Sequence, residues 1–231
     1  MGCLDYFSTR QRLERARARY LTRPTLPALV KALLQAPLTA LESSLDGTRL
    51  LALDFETTGL QPQDDQILSI GTVDITEGRI DLQTARQTLI DTPSPVKADT
   101  VIIHHLVPQL LATGKSLDHA MDQLLQRMSG AILLAHGSSV ERRFIDHYLQ
   151  QRHGLPPLPL PWLDTLEIER RRTRYIRGMP ADLRLSSVRS RHGLPSYPCH
   201  EALIDAVATA ELLLVQYKLL RPASLHQLVI M

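Results

Sequence analysis

Apolar and polar positions divide this chain into two kinds of segment. From residue 50 to residue 90, apolar and β-branched runs are separated by turns rich in Asp, Glu and Gly. Leu50–Leu60 reads as a buried strand running into a turn, and Ile67–Ile75, Gly78–Leu82 and Gln87–Ile90 as a meander of three strands paired with it. Further on, apolar residues recur at helical spacing over Ser116–Met128, Val140–Gln151, Thr165 to about Tyr175, Arg184–His192 and Ala202–Leu220. The wholly apolar run Ala131–Ala135 predicts a central strand buried on both faces. Strands that come first as a meander and then alternate with helices predict an α/β fold, a mixed sheet flanked by helices. Ahead of it, Ser8 and Gln11 resemble a capping box opening a helix to Leu21, and Leu26–Leu34 reads as a second short helix with Pro27 near its first turn. The expected organisation is a basic helical extension and connector over residues 1–46 and a main domain over 47–231.

Composition supports one sizeable core. The 231 residues are 44% hydrophobic and 22% charged, which argues against wholesale disorder. Cys3 and Cys199 carry neither metal spacing nor a disulfide framework, which fits a reducing, cytoplasmic setting. The first twelve residues include Asp5, Arg10 and Arg12, unlike the apolar core of a signal peptide, and Tyr6 does not fit a myristoylation signal. No apolar run is long enough to span a bilayer, so no membrane partner is expected. The formal net charge of +2 is unevenly spread: residues 1–35 hold seven basic side chains against two acidic ones. Such an arm could hold a polyanion near a metal site, and a solvated helix face explains it equally well.

The chemistry gathers at the end of the first strand. Side chains at i and i+2 of a strand point to one side, so Asp54 and Glu56 project together, and two such carboxylates repel unless a cation lies between them. Hard divalent cations take oxygen ligands. Three further groups fall where elements of the sheet end: Glu141 opening a helix, Asp205 in the first turn of the last long helix, and His200 just before it. Carboxylates and an imidazole drawn from separate element ends suit metal-dependent phosphoryl transfer.

Leu53-Asp-Phe-Glu-Thr-Thr-Gly59, His136-Gly-Ser-Ser-Val-Glu-Arg-Arg-Phe-Ile145 and His200-Glu-Ala-Leu-Ile-Asp-Ala206 resemble the three exonuclease motifs of the DEDDh group. This is the DnaQ-like family, which includes the proofreading epsilon subunit of bacterial DNA polymerase III. Order and spacing match over residues 48–220. The resemblance implies a ribonuclease H-like fold and metal-dependent 3′-to-5′ release of nucleoside monophosphates from single-stranded DNA ends, in proofreading or repair. It further implies Asp54, Glu56, Glu141 and Asp205 as ligands of two divalent cations, Mg²⁺ or Mn²⁺, with His200 as general base. Thr57, Thr58, Gly59 and Leu60 would lie against the terminal nucleotide, and His104, in a loop string that otherwise departs from the family, would be a further substrate contact. The family usually carries Asp where this chain has Glu141, which is one methylene longer. Asp146 is a poor substitute, because five residues along a helix turn it away.

Other residues take structural readings: Asp164 as a helix N-cap and His136 as closing a turn. Arg170, Arg171, Arg172, Arg174 and Arg177 could line a path for a phosphate backbone or form an exposed basic face; Tyr175 and Trp162 offer stacking or core packing. Two alternatives stay open, an RNA-directed 3′-to-5′ exoribonuclease of the same superfamily and a weakly active nucleic-acid- or polymerase-binding module. The chain ends soon after its last helix, without the tail by which epsilon subunits hold the polymerase, so polymerase association and oligomeric state both stay open.

Overall fold

The computed structural model describes residues 3–92, 108–174, 182–198 and 201–230. Six strands form one sheet: β1 (Leu50–Thr57), β2 (Ile67–Thr76), β3 (Arg79–Leu89), β4 (Ile132–Ala135), β5 (Trp162–Asp164) and β6 (Val229–Ile230), in the spatial order β3-β2-β1-β4-β5-β6. β1 pairs antiparallel with β2 and parallel with β4, β4 is parallel to β5, and β6 is antiparallel to β5. Helices α1 (Cys3–Leu21), α2 (Ala28–Gln35), α3 (Leu117–Met128), α4 (Ser139–His153), α5 (Thr165–Thr173), α6 (Leu185–Arg191) and α7 (Ala202–Leu220) flank the sheet. The mixed sheet is the one the meander-then-alternation pattern predicts.

Strand alternation decides which helix meets which face. Leu51, Leu53 and Phe55 of β1 pack with Leu33, Met121, Phe144 and Ile145 from α2, α3 and α4. Leu50 and Ala52 point the other way and pack with Ile168 of α5 and Ala206, Ala210 and Leu213 of α7. Asp54 and Glu56 continue the second set, so period-2 geometry alone places them on the α7 side. Each fully buried Leu contributes roughly 1.5–3 kcal/mol through removal from water, which makes this register strongly preferred over a one-residue slip.

The meander differs from the sequence reading. Gly78–Leu82 and Gln87–Ile90 are not two strands but parts of β3, joined through an irregularity opposite Thr72–Asp74. The polar stretch between them folds on itself: Gln83 N–H donates to Asp81 Oδ1, and the Thr84 hydroxyl donates to the Asp81 carbonyl while accepting from Asp74 N–H. These local bonds turn an apparent break into a bulge. The β2–β3 connection is a two-residue turn with Glu77 and Gly78 both at positive φ (52° and 67°), as a tight hairpin demands. The short strands β5 and β6 carry too little periodicity to be read from sequence.

The first helix begins at Cys3, ahead of the capping box expected at Ser8. Leu13 and Tyr20 of α1 and Val30, Leu33 and Leu34 of α2 are buried in the two clusters that cover the sheet. Arg17 is buried as well, donating to the carbonyls of Pro159 and Ala36, and burial lowers its pKa to about 10. Arg10 pairs with Glu14 and Glu42. Of the basic arm, Arg12, Arg15, Arg19 and Arg23 stay exposed.

Candidate active site

Asp54 lies opposite Gly71 in the β1–β2 ladder. A Cβ on Gly71 would come within 2.1 Å of the Ala202 carbonyl carbon and oxygen and 2.3 Å of Leu203 N. The absence of a side chain there lets the first turn of α7 rest directly on the sheet, and that turn carries Asp205. Oxygens of Asp54, Glu56 and Asp205 thereby lie within 4.8 Å of one another. Among the described residues these three form a group able to hold a metal ion; Glu141 is not part of it. Gly71 escaped the sequence reading, although a lone Gly inside a strand pattern is the signal for such a close approach.

Electrostatics supports a cation at this point. Burial pushes the Asp54 carboxyl well above the usual carboxylate range, and the negative charges of Glu141, Glu56 and Asp205 push it further. Glu141 sits in the first turn of α4, 4% exposed. Burial raises its pKa to about 8, with Asp164 and Glu56 adding to the rise and the N–H groups of Glu141 and Phe55 drawing it back. Its Oε2 has no hydrogen-bond partner among the described residues. A buried carboxylate oxygen without a donor, beside a repelling cluster of acids, is what an oxygen-seeking divalent cation would relieve.

The turn after β1 is built around Asp65. Its Oδ1 accepts from the Thr58 hydroxyl and its Oδ2 from Gln61 N–H, while Gln66 N–H donates to Thr58 Oγ1. Gly59 makes room for this carboxylate, since a Cβ there would meet Asp65 Oδ2 at 2.5 Å. Thr57 Oγ1 donates to the Gly59 carbonyl. With its hydroxyls turned inward, the loop presents Leu60, which is 60% exposed.

Asp164 is the N-cap of α5, as expected, accepting from Leu166 and Glu167 N–H. It also accepts from the N–H groups of Gly137 and Ser138 and from the Ser138 hydroxyl, so one carboxylate ties the starts of α4 and α5 together. His136 is structural: burial lowers its pKa, Nε2–H donates to the Leu183 carbonyl, and Nδ1 is left to accept from the Thr165 hydroxyl. Asp146 accepts from Leu158 N–H, away from the acids. Trp162 is buried. Arg170 and Arg171 pair with Glu167, and Arg172 with the fully buried Glu169. His104, Tyr175, Arg177 and His200 lie outside the described residues.

A cleft of about 630 Å³ opens beside Asp205, lined by Arg184, Ser186, Arg189, Ser190 and Tyr197 among others. Arg189 is buried and orders this wall: it donates to the carbonyls of Ala208 and Pro195, pairs with Glu211 at 2.8 Å and lies over the Tyr197 ring. Tyr197 donates to Glu211 in turn.

A family profile described as exonuclease, of the RNase T type, matches residues 51–213. The PolC-type DNA polymerase III of Thermotoga petrophila is 30% identical over 173 residues, 75% of this chain and 12% of that protein. An epsilon-like DNA polymerase III subunit protein of Rhodobacter capsulatus is 29% identical over 175 residues, 74% of this chain and 24% of that protein. The chain therefore spans only a small part of the length of these relatives. Among solved structures, exonuclease X in complex with 5′-overhanging duplex DNA has a TM-score of 0.58 at 23% identity, covering 78% of this chain and 97% of that one. Zinc-bound E. coli exonuclease I with single-stranded DNA has 0.66 at 14%, covering 76% and 42%. These likenesses show the ribonuclease H-like fold.

Proposed function

The chain belongs to the RNase T-type exonuclease family, and on that premise we propose that it releases nucleoside monophosphates from the 3′ ends of single-stranded DNA. The observation that carries this reading is the meeting of Asp54, Glu56 and Asp205 within 4.8 Å, with Asp205 also lining an open cleft of about 630 Å³. Bound divalent cations, two of Mg²⁺ or Mn²⁺ in this reading, supply the Lewis acidity for attack on the terminal phosphodiester and for departure of the 3′-oxygen. Asp54, Glu56 and Asp205 would hold them, with Oε2 of Glu141, which has no partner among the described residues, as a further oxygen donor. His200 accepts the proton of the attacking water, a role suited to a group that titrates near neutrality. Water oxygen bonds to phosphorus, the bond to the 3′-oxygen breaks, and the nucleoside monophosphate leaves.

Leu60 offers an apolar surface to the terminal base, on a turn that Asp65 holds rigid. Relatives named as DNA polymerase III proteins favour DNA over RNA, a role in proofreading or repair, a replicative polymerase as partner and a cytoplasmic setting. Among the described residues no helix is long and apolar enough to cross a membrane.

The test is digestion of 5′-labelled single strands, DNA and RNA in parallel, with Mg²⁺, Mn²⁺ or chelator. A metal-dependent ladder shortening from the 3′ end, stronger on DNA, is expected. A stronger ladder on RNA would reassign the substrate; metal-independent or absent cleavage would overturn the reading. Glu141 motivates the second reading, a binding module with little catalysis, which tight strand binding without any cleavage would favour.

A further inference from the structure

A second polar groove lies on the face of the sheet opposite Asp54 and Glu56. Thr72 pairs with Leu53, and Arg86 with Thr72; Ile70 pairs with Phe55, and Thr88 with Ile70. Thr72, Arg86 and Thr88 therefore share the face of Leu53 and Phe55, not that of the acids. Between this edge of the sheet and α3 the surface encloses about 570 Å³. β3 forms one wall, Gln123, Gln126 and Arg127 of α3 the other, and Thr113–Lys115 the end.

The groove is built rather than incidental. Lys115 N–H donates to the Leu89 carbonyl and its own carbonyl accepts from Asp91 N–H, which stitches the end wall to β3. Gly114 lies so close that a Cβ would meet the backbone of Leu89–Asp91 at 2.6–2.7 Å. Arg127 is set at the floor by bonds to Thr72 Oγ1 and Asp74 Oδ1.

Its charge is one-sided. Arg86, Lys115 and Arg127 line it, the other polar lining groups are Thr and Gln, and among the described residues no carboxylate lines it. Asp74, which shares the network below, is already held by Arg49 Nη2 through both oxygens at 3.0 and 3.2 Å. Burial lowers the Arg127 pKa; the charge and hydrogen bond of Asp74 draw it back up, while the neighbouring guanidinium groups of Arg49 and Arg86 lower it. An anion laid across them would relieve that repulsion. Cations interleaved with Thr and Gln donors suit a repeating phosphate backbone, where each phosphate accepts several hydrogen bonds.

The groove also joins the acid face. Gln87 lines it, and Gln87 Nε2 donates to Ser69 Oγ at 3.3 Å; Ser69 is the ladder partner of Glu56. Leu89, at its rim, is two strands from Glu56, about 10 Å at the usual strand spacing.

We propose that this groove is a second nucleic-acid site, gripping the sugar-phosphate backbone of a single strand upstream of the 3′ end held at the acids. It rests on the exonuclease reading for the identity of the polyanion. The strand leaves the acids, passes over the β2–β3 edge at Gln87 and runs along Arg86, Lys115 and Arg127. Binding here gives no cleavage by itself; it makes long strands better substrates than short ones and makes that advantage sensitive to salt.

The test compares single-stranded oligonucleotides of about 4 and about 16 nucleotides. For native protein and the double variant Arg86→Gln, Lys115→Gln, affinity is read by anisotropy in chelator and cleavage with Mg²⁺. Both side chains are exposed, and thermal melting checks the fold. Native protein is expected to favour the long strand by about tenfold or more, and loss of two phosphate contacts to remove most of that preference and flatten the log-affinity against log-salt slope by about 1.4. The charge-conserving pair Arg86→Lys, Lys115→Arg restores it. Cleavage of both lengths with no length preference, or a preference untouched by the double variant, overturns the groove and leaves the exonuclease standing. A length preference that the variant abolishes in a protein that does not cleave keeps the groove and overturns the exonuclease. Neither binding nor cleavage overturns both.

Discussion

Asp54 and Gly71 face each other across the β1–β2 ladder, and the missing side chain of one sets the place of the other's partner. Because Gly71 lets Ala202 touch the sheet backbone, the first turn of α7 drops far enough for Asp205 to reach Asp54 and Glu56. A glycine outside the acid motifs thus controls the geometry of the acids.

Gly71→Ala is the direct check. The new methyl would overlap the Ala202 carbonyl, so α7 must lift; overpacking of this kind destabilises by about 1–3 kcal/mol. A displacement near 1 Å lowers turnover by about 100-fold. The expected result is a folded protein with a reduced Tm and that loss of kcat; near-native kinetics would show that the contact does not set the site.

His200→Ala and Asp54→Ala separate proton transfer from metal binding. Removing a general base lowers kcat by about 10²–10⁴-fold, and His200→Ala should do so while Mn²⁺ titration by calorimetry is unchanged. Asp54→Ala should weaken both. Equal loss of metal affinity in the two variants would make His200 a ligand instead.

Glu141 supplies a pH prediction for metal-free protein. Its folded pKa of about 8 stands above the unfolded value near 4.5, so the native state binds the extra proton in that window. Stability of the chelated protein should fall as pH rises from about 4.5 to about 8; Asp54, raised for the same reasons, adds to the fall from the low end of the window. Glu141→Gln should flatten the profile and Mg²⁺ should restore stability at pH 8. Denaturant melts across pH, with chelator and with Mg²⁺, read this out, and a chelated profile that rises over the window contradicts it.

Glu169 carries the opposite sign. Burial would raise its pKa, but hydrogen bonds from Arg172 and His192 outweigh that and hold it at about 2. Its contribution is complete above the unfolded value near 4.5 and is lost as pH falls toward about 2. The carboxylate also accepts from Gln216 of α7, so it joins α5, the turn after α6 and α7. Glu169→Gln leaves the partly exposed Arg172 without its charge partner and should destabilise by about 1–3 kcal/mol at neutral pH, the range for losing hydrogen bonds to a charged group. A native Tm in this variant would mean that the network carries little.

Much of this molecule is written in local pattern. The period-2 run through Leu50, Ala52 and Asp54, the Asp164 cap, and α7 over Ala202–Leu220 follow from residues a few positions apart, and they place the acids on one strand face and at one helix start. The meander misread over β3 shows where that logic fails: the bonds of Asp81, Gln83 and Thr84 bulge a strand that composition reads as broken. Four relationships needed the tertiary structure: the seat of Ala202 on Gly71, the Oε2 of Glu141 buried beside the acids with no partner among the described residues, the Arg189–Tyr197–Glu211 wall and the cationic groove beside β3. Each joins residues from separate elements, and their meeting depends on sheet register and on how closely backbones can approach, which period and propensity do not encode.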